Sequence, residues 1–194
     1  MKAAVFDGAV RSPGEFVHIE DVPRPELQPG HLLLRVLACG VCRTDLHIVE
    51  GDLPQLRKRL IPGHQIVGEV VEGATAEMPV GTRVGVSWMG GVDGDCWYCR
   101  HEMENLCDKP TFTGYTVNGG YAEYVLARAD FTFPLPVGLD DAHVAPLLCA
   151  GISASAVCAS PVLNMPSESD VSDLAARPAW RFPFCNPGNA KSTL

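Results

Sequence analysis

The sequence has little positive charge and no apolar segment close to its start. Its formal net charge is −8, from 15 Lys and Arg residues against 23 Asp and Glu residues. Proteins that bind nucleic acid usually present a basic face, so this balance argues against a nucleic-acid partner. The one short basic cluster, residues 56–60, is interpreted as a solvated loop. The first seven residues reach an aspartate without an apolar core, so no secretory signal peptide is expected.

A membrane partner is not expected either. Residues 143–162 contain no Asp, Glu, Lys or Arg, and a stretch of this length could cross a bilayer. Two prolines, several small polar residues and a cysteine with a metal-ligand interpretation argue against a transmembrane helix. Eight cysteines in 194 residues could indicate a secreted disulfide scaffold, but such scaffolds are usually much shorter. Two Cys-x-x-Cys pairs instead favour metal chemistry in a reducing compartment, and we expect a cytoplasmic protein.

Short apolar runs bounded by Gly and Pro dominate the first two thirds of the chain. This pattern is typical of strands, and turn-forming sequences such as residues 28–30 and 79–81 separate them. It predicts a mainly β fold of the irregular barrel type with a few short helices. The predicted strands are residues 2–6, 15–22, 31–38, 65–72, 83–88 and 121–126.

Two helices are predicted. Thr44 or Asp45 can cap the first, which ends near Gly51. The aspartates at 140 and 141 can each open the second, which is predicted to run through Cys149 toward residue 157. Beyond that point the sequence is rich in Ser, Pro and Asp without a sustained period. We therefore expect a domain over residues 1–157 and an atypical, truncated or disordered tail over 158–194.

Cys42, His64 and Cys149 are the strongest candidates for a catalytic metal site. A closed structural zinc site takes four protein ligands, whereas a catalytic site takes three and keeps one position open. Two thiols and one imidazole make such a three-ligand set. Asp45 could accept a hydrogen bond from the second ring nitrogen of His64 and so fix its tautomer.

A second cysteine cluster follows at residues 93–107. A rival pairing of the two Cys-x-x-Cys motifs, Cys39 with Cys42 and Cys96 with Cys99, would make a single four-thiolate site. That pairing leaves His64 unexplained. Cys39 is better interpreted as a core residue on a strand, because a free cysteine packs as a small hydrophobic side chain.

These segments resemble the zinc-dependent alcohol dehydrogenases of the medium-chain dehydrogenase/reductase superfamily. The resemblance is carried by ACGVCRTDLH at 38–47, PGHQ at 62–65, APLLCAG at 145–151 and the cluster at 93–107, and it extends from Met1 to about residue 157. It implies a GroES-like fold, one catalytic zinc ion and a small-molecule alcohol or aldehyde as substrate. It leaves the oligomeric state open.

The resemblance also implies roles for individual side chains. Thr44 and His47 resemble the family's proton relay, which passes the substrate's proton toward solvent, while Asp45 would support the metal site through His64. Arg43 resembles a contact to the cofactor pyrophosphate, and Trp88 resembles a wall of the substrate pocket. The alternatives are a helix cap, a surface histidine, a solvated arginine and a plain core aromatic ring.

The family's structural lobe has four cysteines separated by two, two and seven residues. Here Cys96, Cys99 and Cys107 occupy the last three positions, and Asp93 stands at the first. Either Asp93 completes a structural zinc site, or water does, or the lobe is empty, or the three thiols are merely buried. Gln65 also departs from the commonest family pattern, which has a glutamate after the zinc histidine.

The resemblance further implies an NAD(P)-binding Rossmann domain opened by a Gly-x-Gly-x-x-Gly turn. No such turn occurs in the 194 residues. We therefore expect a zinc-dependent alcohol dehydrogenase present as a fragment, which would convert an alcohol and NAD(P)+ into an aldehyde or ketone and NAD(P)H. The alternative is a catalytically inactive zinc-binding β-domain.

Taken alone, these 194 residues are expected not to turn over alcohols. Hydride transfer requires the nicotinamide to be held close to the substrate, and no glycine-rich turn in the sequence can seat the pyrophosphate. Purified chain mixed with alcohol and NAD(P)+ checks this by absorbance of the reduced cofactor. Saturable turnover that disappears in His64→Ala would contradict the expectation.

Overall fold

The structure is a computed structural model that describes residues 1–8 and 16–153. Strands dominate within these ranges, which confirms the predicted mainly β fold. The predicted boundary at residue 157, the tail at 158–194 and the start of the strand predicted at residue 15 lie outside the described residues. The strands are β1 Lys2–Val5, β2 His18–Asp21, β3 His31–Gly40, β4 Gln65–Glu72, β5 Arg83–Val86, β6 Met89–Gly91, β7 Thr111–Phe112, β8 Tyr124–Arg128 and β9 Thr132–Pro134.

One five-stranded antiparallel sheet, in the order β8-β3-β4-β5-β9, carries the core. Side chains from its central strands, including Leu34 and Ile66, form the largest buried cluster. Val67 points to the opposite face and is equally buried, against Val144 and Leu148. Because both faces of β4 are covered at this point, consecutive residues are apolar instead of alternating. Strands β1 and β2 form one separate pair, and β6 and β7 form another.

The segment at 119–121 explains why β8 begins later than predicted. Gly119, Gly120 and Tyr121 donate backbone hydrogen bonds of 2.7–3.1 Å to the carbonyls of the 61–63 loop. Their backbone groups are therefore engaged by a loop before the chain enters the sheet at Tyr124. Strands β6 and β7 were not predicted from the sequence, because they are too short to show an alternating apolar pattern.

Helix α1, Arg43–Glu50, begins two or three residues earlier than predicted. Its N-cap is Cys42, so the expected cap at Thr44 or Asp45 is wrong. Asp45 occupies the third helical position, from which its Oδ2 accepts a 2.9 Å hydrogen bond from the Cys42 N–H. A side chain at that position reaching back to the N-cap is one half of a capping box. The predicted end is confirmed, since Gly51 closes the helix at φ 86°.

The second predicted helix is interrupted. Asp140 accepts hydrogen bonds from two following backbone N–H groups and caps α2, Asp141–Val144. A 3-10 turn, Ala145–Leu148, then follows, and Cys149 has non-helical angles of φ −131° and ψ −71°. A continuous helix through Cys149 is therefore wrong, because Pro146 has no N–H to continue the α-helical hydrogen bonding. In the described parts of the chain, no helix combines the length and apolar character needed to span a bilayer.

Candidate metal centres

Cys42, His64 and Cys149 converge because of how β3 and β4 pair. The last residue of β3, Gly40, lies opposite the first residue of β4, Gln65. In an antiparallel pair, the residues just after one strand and just before the next are therefore neighbours. Cys149 follows the 3-10 turn that packs against β4. The three ligand atoms lie within 4.8 Å of one another, and all belong to one compact unit, Met1–Cys149.

His64 is buried and offers one ring nitrogen to a cation. Its Nδ1 lies 3.1 Å from Asp45 Oδ1, whereas its Nε2 has no hydrogen-bond partner among the described residues. Because a carboxylate only accepts, the proton is placed on Nδ1 and the lone pair on Nε2. A buried acceptor without a partner is costly in an apolar interior. Together with the thiols of Cys42 and Cys149, it forms a donor set that fits zinc.

Asp45 ties together the two chain segments that carry His64 and Cys42. Its side chain is almost fully buried, with 3% of the residue exposed. Besides bonding to Cys42, it accepts a 3.1 Å hydrogen bond from the backbone N–H of Gly63. The predicted hydrogen bond between Asp45 and His64 is confirmed. This carboxylate thus sets both the imidazole orientation and the approach of helix α1 to the loop before β4.

Cys149, the third ligand candidate, carries a protonated thiol before a metal binds. Burial, reinforced by the neighbouring Cys42, raises the pKa of Cys149. Zinc binds the thiolate, so binding at this centre must displace a proton from Cys149. Zinc affinity is therefore expected to fall as the pH is lowered.

The second group comprises Asp93, Cys96, Cys99 and Cys107, whose ligand atoms also lie within 4.8 Å of one another. The sulfurs of Cys96 and Cys99 are 3.5 Å apart. Backbone N–H groups of Asp93 and Lys109 each donate to the Cys107 sulfur at 3.4 Å, and that of Cys99 donates to Cys96 at 3.5 Å. Three sulfurs and one carboxylate that converge in this way, with backbone N–H groups directed at two of the sulfurs, fit a four-ligand structural metal site.

The environment shifts the pKa values of the lobe's side chains in different directions. Backbone hydrogen bonds from Cys96 and Asp95, each 3.1 Å from Oδ1, hold the pKa of Asp93 below its usual range. Backbone hydrogen bonds, led by that of Asp108, lower the pKa of Cys96. Burial raises the pKa of Cys99 to about 12. Asp93 is therefore ionised at neutral pH, whereas Cys99 gives up its proton only to a competing cation.

Asp93→Cys is expected to tighten zinc retention in the lobe. A thiolate is a softer ligand than a carboxylate, and zinc in a structural site prefers it. Because structural metal binding contributes to folding, the melting temperature should rise by about 2–4 °C for each 1 kcal/mol gained. Zinc transfer to a chromogenic chelator and a thermal melt measure the two effects. Asp95→Cys is the matched control, and equal behaviour of the two variants would show that Asp93 does not contact the metal.

Helix α1 carries three other predicted site residues. The hydroxyl of Thr44 lies 3.8 Å from the sulfur of the N-cap cysteine. His47 Nδ1 is 2.6 Å from the carboxylate of Asp52, a partner that the sequence did not indicate. Arg43 is exposed and pairs with Glu50 at 3.5 Å. Thr44 is thus placed beside the metal group, and His47 lies further along the helix, where it contacts an exposed carboxylate.

An aromatic wall of Trp88, Phe112 and Tyr115 stands beside the catalytic-type centre. Trp88 meets the His64 ring edge-on, with centroids 5.1 Å apart. It stacks on Phe112 at 4.8 Å and on Tyr115 at 6.0 Å. The Tyr115 hydroxyl donates a 2.9 Å hydrogen bond to the carbonyl of Pro54. Trp88 was predicted as a pocket wall, but its two stacking partners were not, because no local sequence pattern pairs residues so far apart.

Cys39 belongs to neither metal group among the described residues. It packs against the main core cluster, so its interpretation as a core residue is confirmed. The rival single site is wrong, because Cys42 lies in one group while Cys96 and Cys99 lie in the other.

Cys39 is expected to alkylate more slowly than Cys96 in the folded chain. Burial raises its pKa from an ordinary 9.0 to about 12. At pH 8 its reactive thiolate fraction is then about 1000-fold below that of an ordinary thiol. Iodoacetamide treatment of metal-stripped chain, followed by peptide mass analysis, gives the order of modification. Early labelling of Cys39 relative to Cys96 would contradict its buried position.

Known proteins match both the fold and the sequence of this chain. The alcohol dehydrogenase GroES-like domain family matches residues 28–137. A Mycobacterium tuberculosis protein named as a probable alcohol dehydrogenase is 53% identical over 138 residues, covering 68% of this chain. An alcohol dehydrogenase of Geobacillus stearothermophilus is 46% identical over 156 residues, covering 79%. A crystal structure described as a zinc-binding dehydrogenase from Sinorhizobium meliloti, bound to NADP, superposes with a TM-score of 0.65 at 33% identity over 74% of this chain.

The matched region is a part of each of these proteins. The chain spans 39% of the Mycobacterium protein and 45% of the Geobacillus protein, and 41% of the Sinorhizobium structure.

Proposed function

The chain belongs to the alcohol dehydrogenases that carry a GroES-like domain, and we propose that it forms the metal-binding part of a zinc-dependent alcohol dehydrogenase. In the proposed reaction, an alcohol and NAD(P)+ give an aldehyde or ketone, NAD(P)H and a proton. The observation that carries this proposal is the convergence of Cys42, His64 and Cys149 around a buried Nε2 atom that lacks a hydrogen-bond partner among the described residues.

These three residues would hold one zinc ion and leave a coordination position for substrate. Zinc supplies Lewis acidity that lowers the pKa of an alcohol when both are bound. Asp45 keeps the His64 imidazole in the tautomer that presents Nε2. A structural neighbour bound to NADP supports a nicotinamide cofactor as the hydride acceptor.

Other residues near the centre would serve substrate binding, proton transfer and cofactor binding. The aromatic wall shields one side of the centre from water and offers an apolar surface to the carbon chain of the substrate. Thr44 would take the proton that the alcohol loses while it gives its own hydroxyl proton to the relay, and His47 would release a proton to solvent through its exposed side. Arg43, whose guanidinium is exposed, would turn from Glu50 to the cofactor pyrophosphate.

A second zinc ion is proposed for the lobe of Asp93, Cys96, Cys99 and Cys107. Its role would be structural, because four protein ligands leave no position for substrate. The support is the closed donor set and the backbone N–H groups directed at its sulfurs.

Fusion of a relative's nucleotide-binding domain after Ala156 tests the proposed activity. The fusion should form NAD(P)H from NAD(P)+ in proportion to added alcohol, and His64→Ala in the same fusion should abolish this. Zinc content and NAD(P)H binding are measured on both proteins to establish that each part is loaded. A fusion that holds zinc and cofactor yet shows no turnover would favour the catalytically inactive zinc-binding β-domain.

A further inference from the structure

The loop between α1 and β4 borders an open cavity of about 360 Å³ to which the proposed reaction gives no role. This volume falls within the range of small-molecule sites, roughly 300–1,000 Å³. The cavity is lined by one residue after β1 and four consecutive loop residues, namely Asp7, Gln55, Leu56, Arg57 and Lys58. Part of the basic cluster at 56–60, interpreted from the sequence as a solvated loop, therefore forms the wall of a cavity.

Contacts with the turn after β7 hold this loop in place. The Tyr115 hydroxyl donates a 2.9 Å hydrogen bond to the Pro54 carbonyl, and Arg57 Nη1 donates to the Thr116 carbonyl at 3.5 Å. Within the loop, the side-chain amide of Gln55 donates a 2.9 Å hydrogen bond to the Arg57 carbonyl. The cavity wall is thus shaped before a ligand arrives, which lowers the entropy cost of binding.

Arg57 lacks the carboxylate partner that other arginines of the chain have. Arg24, Arg35 and Arg83 each pair with a carboxylate at 2.7–3.0 Å. Arg57 is half-buried, and within residues 1–8 and 16–153 its guanidinium has only the long contact to a backbone carbonyl. A guanidinium carries five N–H donors, so most of them remain for an incoming anion.

The charges around the cavity favour a phosphate group. Arg57 and Lys58 bring two positive charges against one negative charge from Asp7, so the lining is net positive on a chain of net charge −8. A guanidinium binds phosphate through two parallel hydrogen bonds, and a lysine adds a point charge. The three terminal oxygens of a phosphate monoester can serve both cations at once.

Asp7 determines which phosphate compound fits. Its carboxylate oxygens repel an anion placed next to them, but they accept a hydrogen bond from a hydroxyl group. A ligand with its phosphate at the two cations and a hydroxyl at Asp7 meets both requirements. Inorganic phosphate meets only the first.

We infer that this cavity binds a small, hydroxyl-bearing phosphate monoester, with the phosphate held by Arg57 and Lys58 and a hydroxyl held by Asp7. The inference goes beyond the proposed function, and it requires neither zinc nor a nicotinamide cofactor. It concerns binding only, so no bond is formed or broken.

Backbone amide chemical shifts of the isotope-labelled full chain test the inference. The probes are glycerol 1-phosphate, inorganic phosphate and glycerol, each titrated at constant ionic strength. Glycerol 1-phosphate should shift the amides of Asp7 and of residues 55–58 saturably. Inorganic phosphate should bind the same amides more weakly, and glycerol should leave them unchanged.

Three variants separate the site from a general charge effect. Arg57→Gln should weaken binding of glycerol 1-phosphate by about tenfold or more, because it removes charged hydrogen bonds to the ligand. Lys58→Gln should weaken binding less, since a lysine supplies a point charge without the planar fork. Arg59→Gln is the matched control and should leave the affinity unchanged, because Arg59 pairs with Glu20 and does not line the cavity.

Absence of saturable shifts at residues 55–58 would overturn the inference, as would equal losses of affinity in Arg57→Gln and Arg59→Gln. Equal affinity for inorganic phosphate and glycerol 1-phosphate would show a site for free phosphate and overturn the assignment to an ester. If Arg57→Gln does not fold, the comparison of Lys58→Gln with Arg59→Gln decides the question, because both side chains are exposed.

Discussion

His64→Ala should remove one metal ion per chain and leave the other in place. The imidazole supplies the only nitrogen donor of the catalytic-type group, and without it two thiols remain in a centre too incomplete to retain zinc. The lobe at 93–107 has its own four donors and does not depend on His64. Metal analysis after dialysis against a weak chelator should therefore fall from two zinc ions per chain to one.

Cys96→Ser is the complementary variant for this experiment, because it removes a ligand from the other metal group. It should also lower the content to one zinc ion, which now resides at Cys42, His64 and Cys149. The double variant should hold none. Loss of all zinc from either single variant would show that the centres are not independent and would revive a single shared site.

Among single substitutions at and around the catalytic-type centre, Asp45→Ala is expected to destabilise the chain most. It deletes a buried carboxylate that accepts three hydrogen bonds, from Cys42, Gly63 and His64. Removing one member of a buried charged or hydrogen-bonded network costs about 3–5 kcal/mol. The loose imidazole should in addition weaken zinc binding by about 10–100-fold.

Urea denaturation and a zinc competition titration measure the two effects of Asp45→Ala. Asp45→Asn is the control, because it keeps the shape and one acceptor oxygen while it loses the charge. It should retain more of the free energy of unfolding than Asp45→Ala and still lose zinc affinity. An Asp45→Ala variant within about 1 kcal/mol of the original chain would show that the carboxylate does not hold these segments together.

The ligand candidates could be predicted because their residue types suit zinc and the motifs around them resemble those of a known dehydrogenase family. Cys42, His64 and Cys149 stand in motifs that belong together, and the position of Asp93 follows from counting back from Cys96. Strand β4 was predicted over the residues that form it, since its apolar run is bounded by a glycine turn on one side and a loop on the other. The information for the strand is local in sequence, whereas the ligand set was assembled from motifs that lie far apart in the chain.

What could not be predicted depends on contacts between distant segments. The stacking of Phe112 and Tyr115 on Trp88 arises from how β7 and its following turn fold back, which no local period encodes. The helix predicted to run from Asp140 or Asp141 through Cys149 is interrupted at Pro146, where a 3-10 turn packs against β4.

The pairing of Gly40 with Gln65 also bears on which of the three ligand residues would leave the catalytic-type centre first. Cys42 and His64 flank the two strands that share the most buried core, so separating them requires the cooperative unfolding of the sheet. Cys149 follows a short 3-10 turn outside the sheet, so we expect it to leave the centre through a more local opening. Amide hydrogens near the end of β3 and the start of β4 should therefore exchange at the slow global rate, while those around Cys149 exchange faster. Metal exchange at this centre would then begin with release of the Cys149 sulfur.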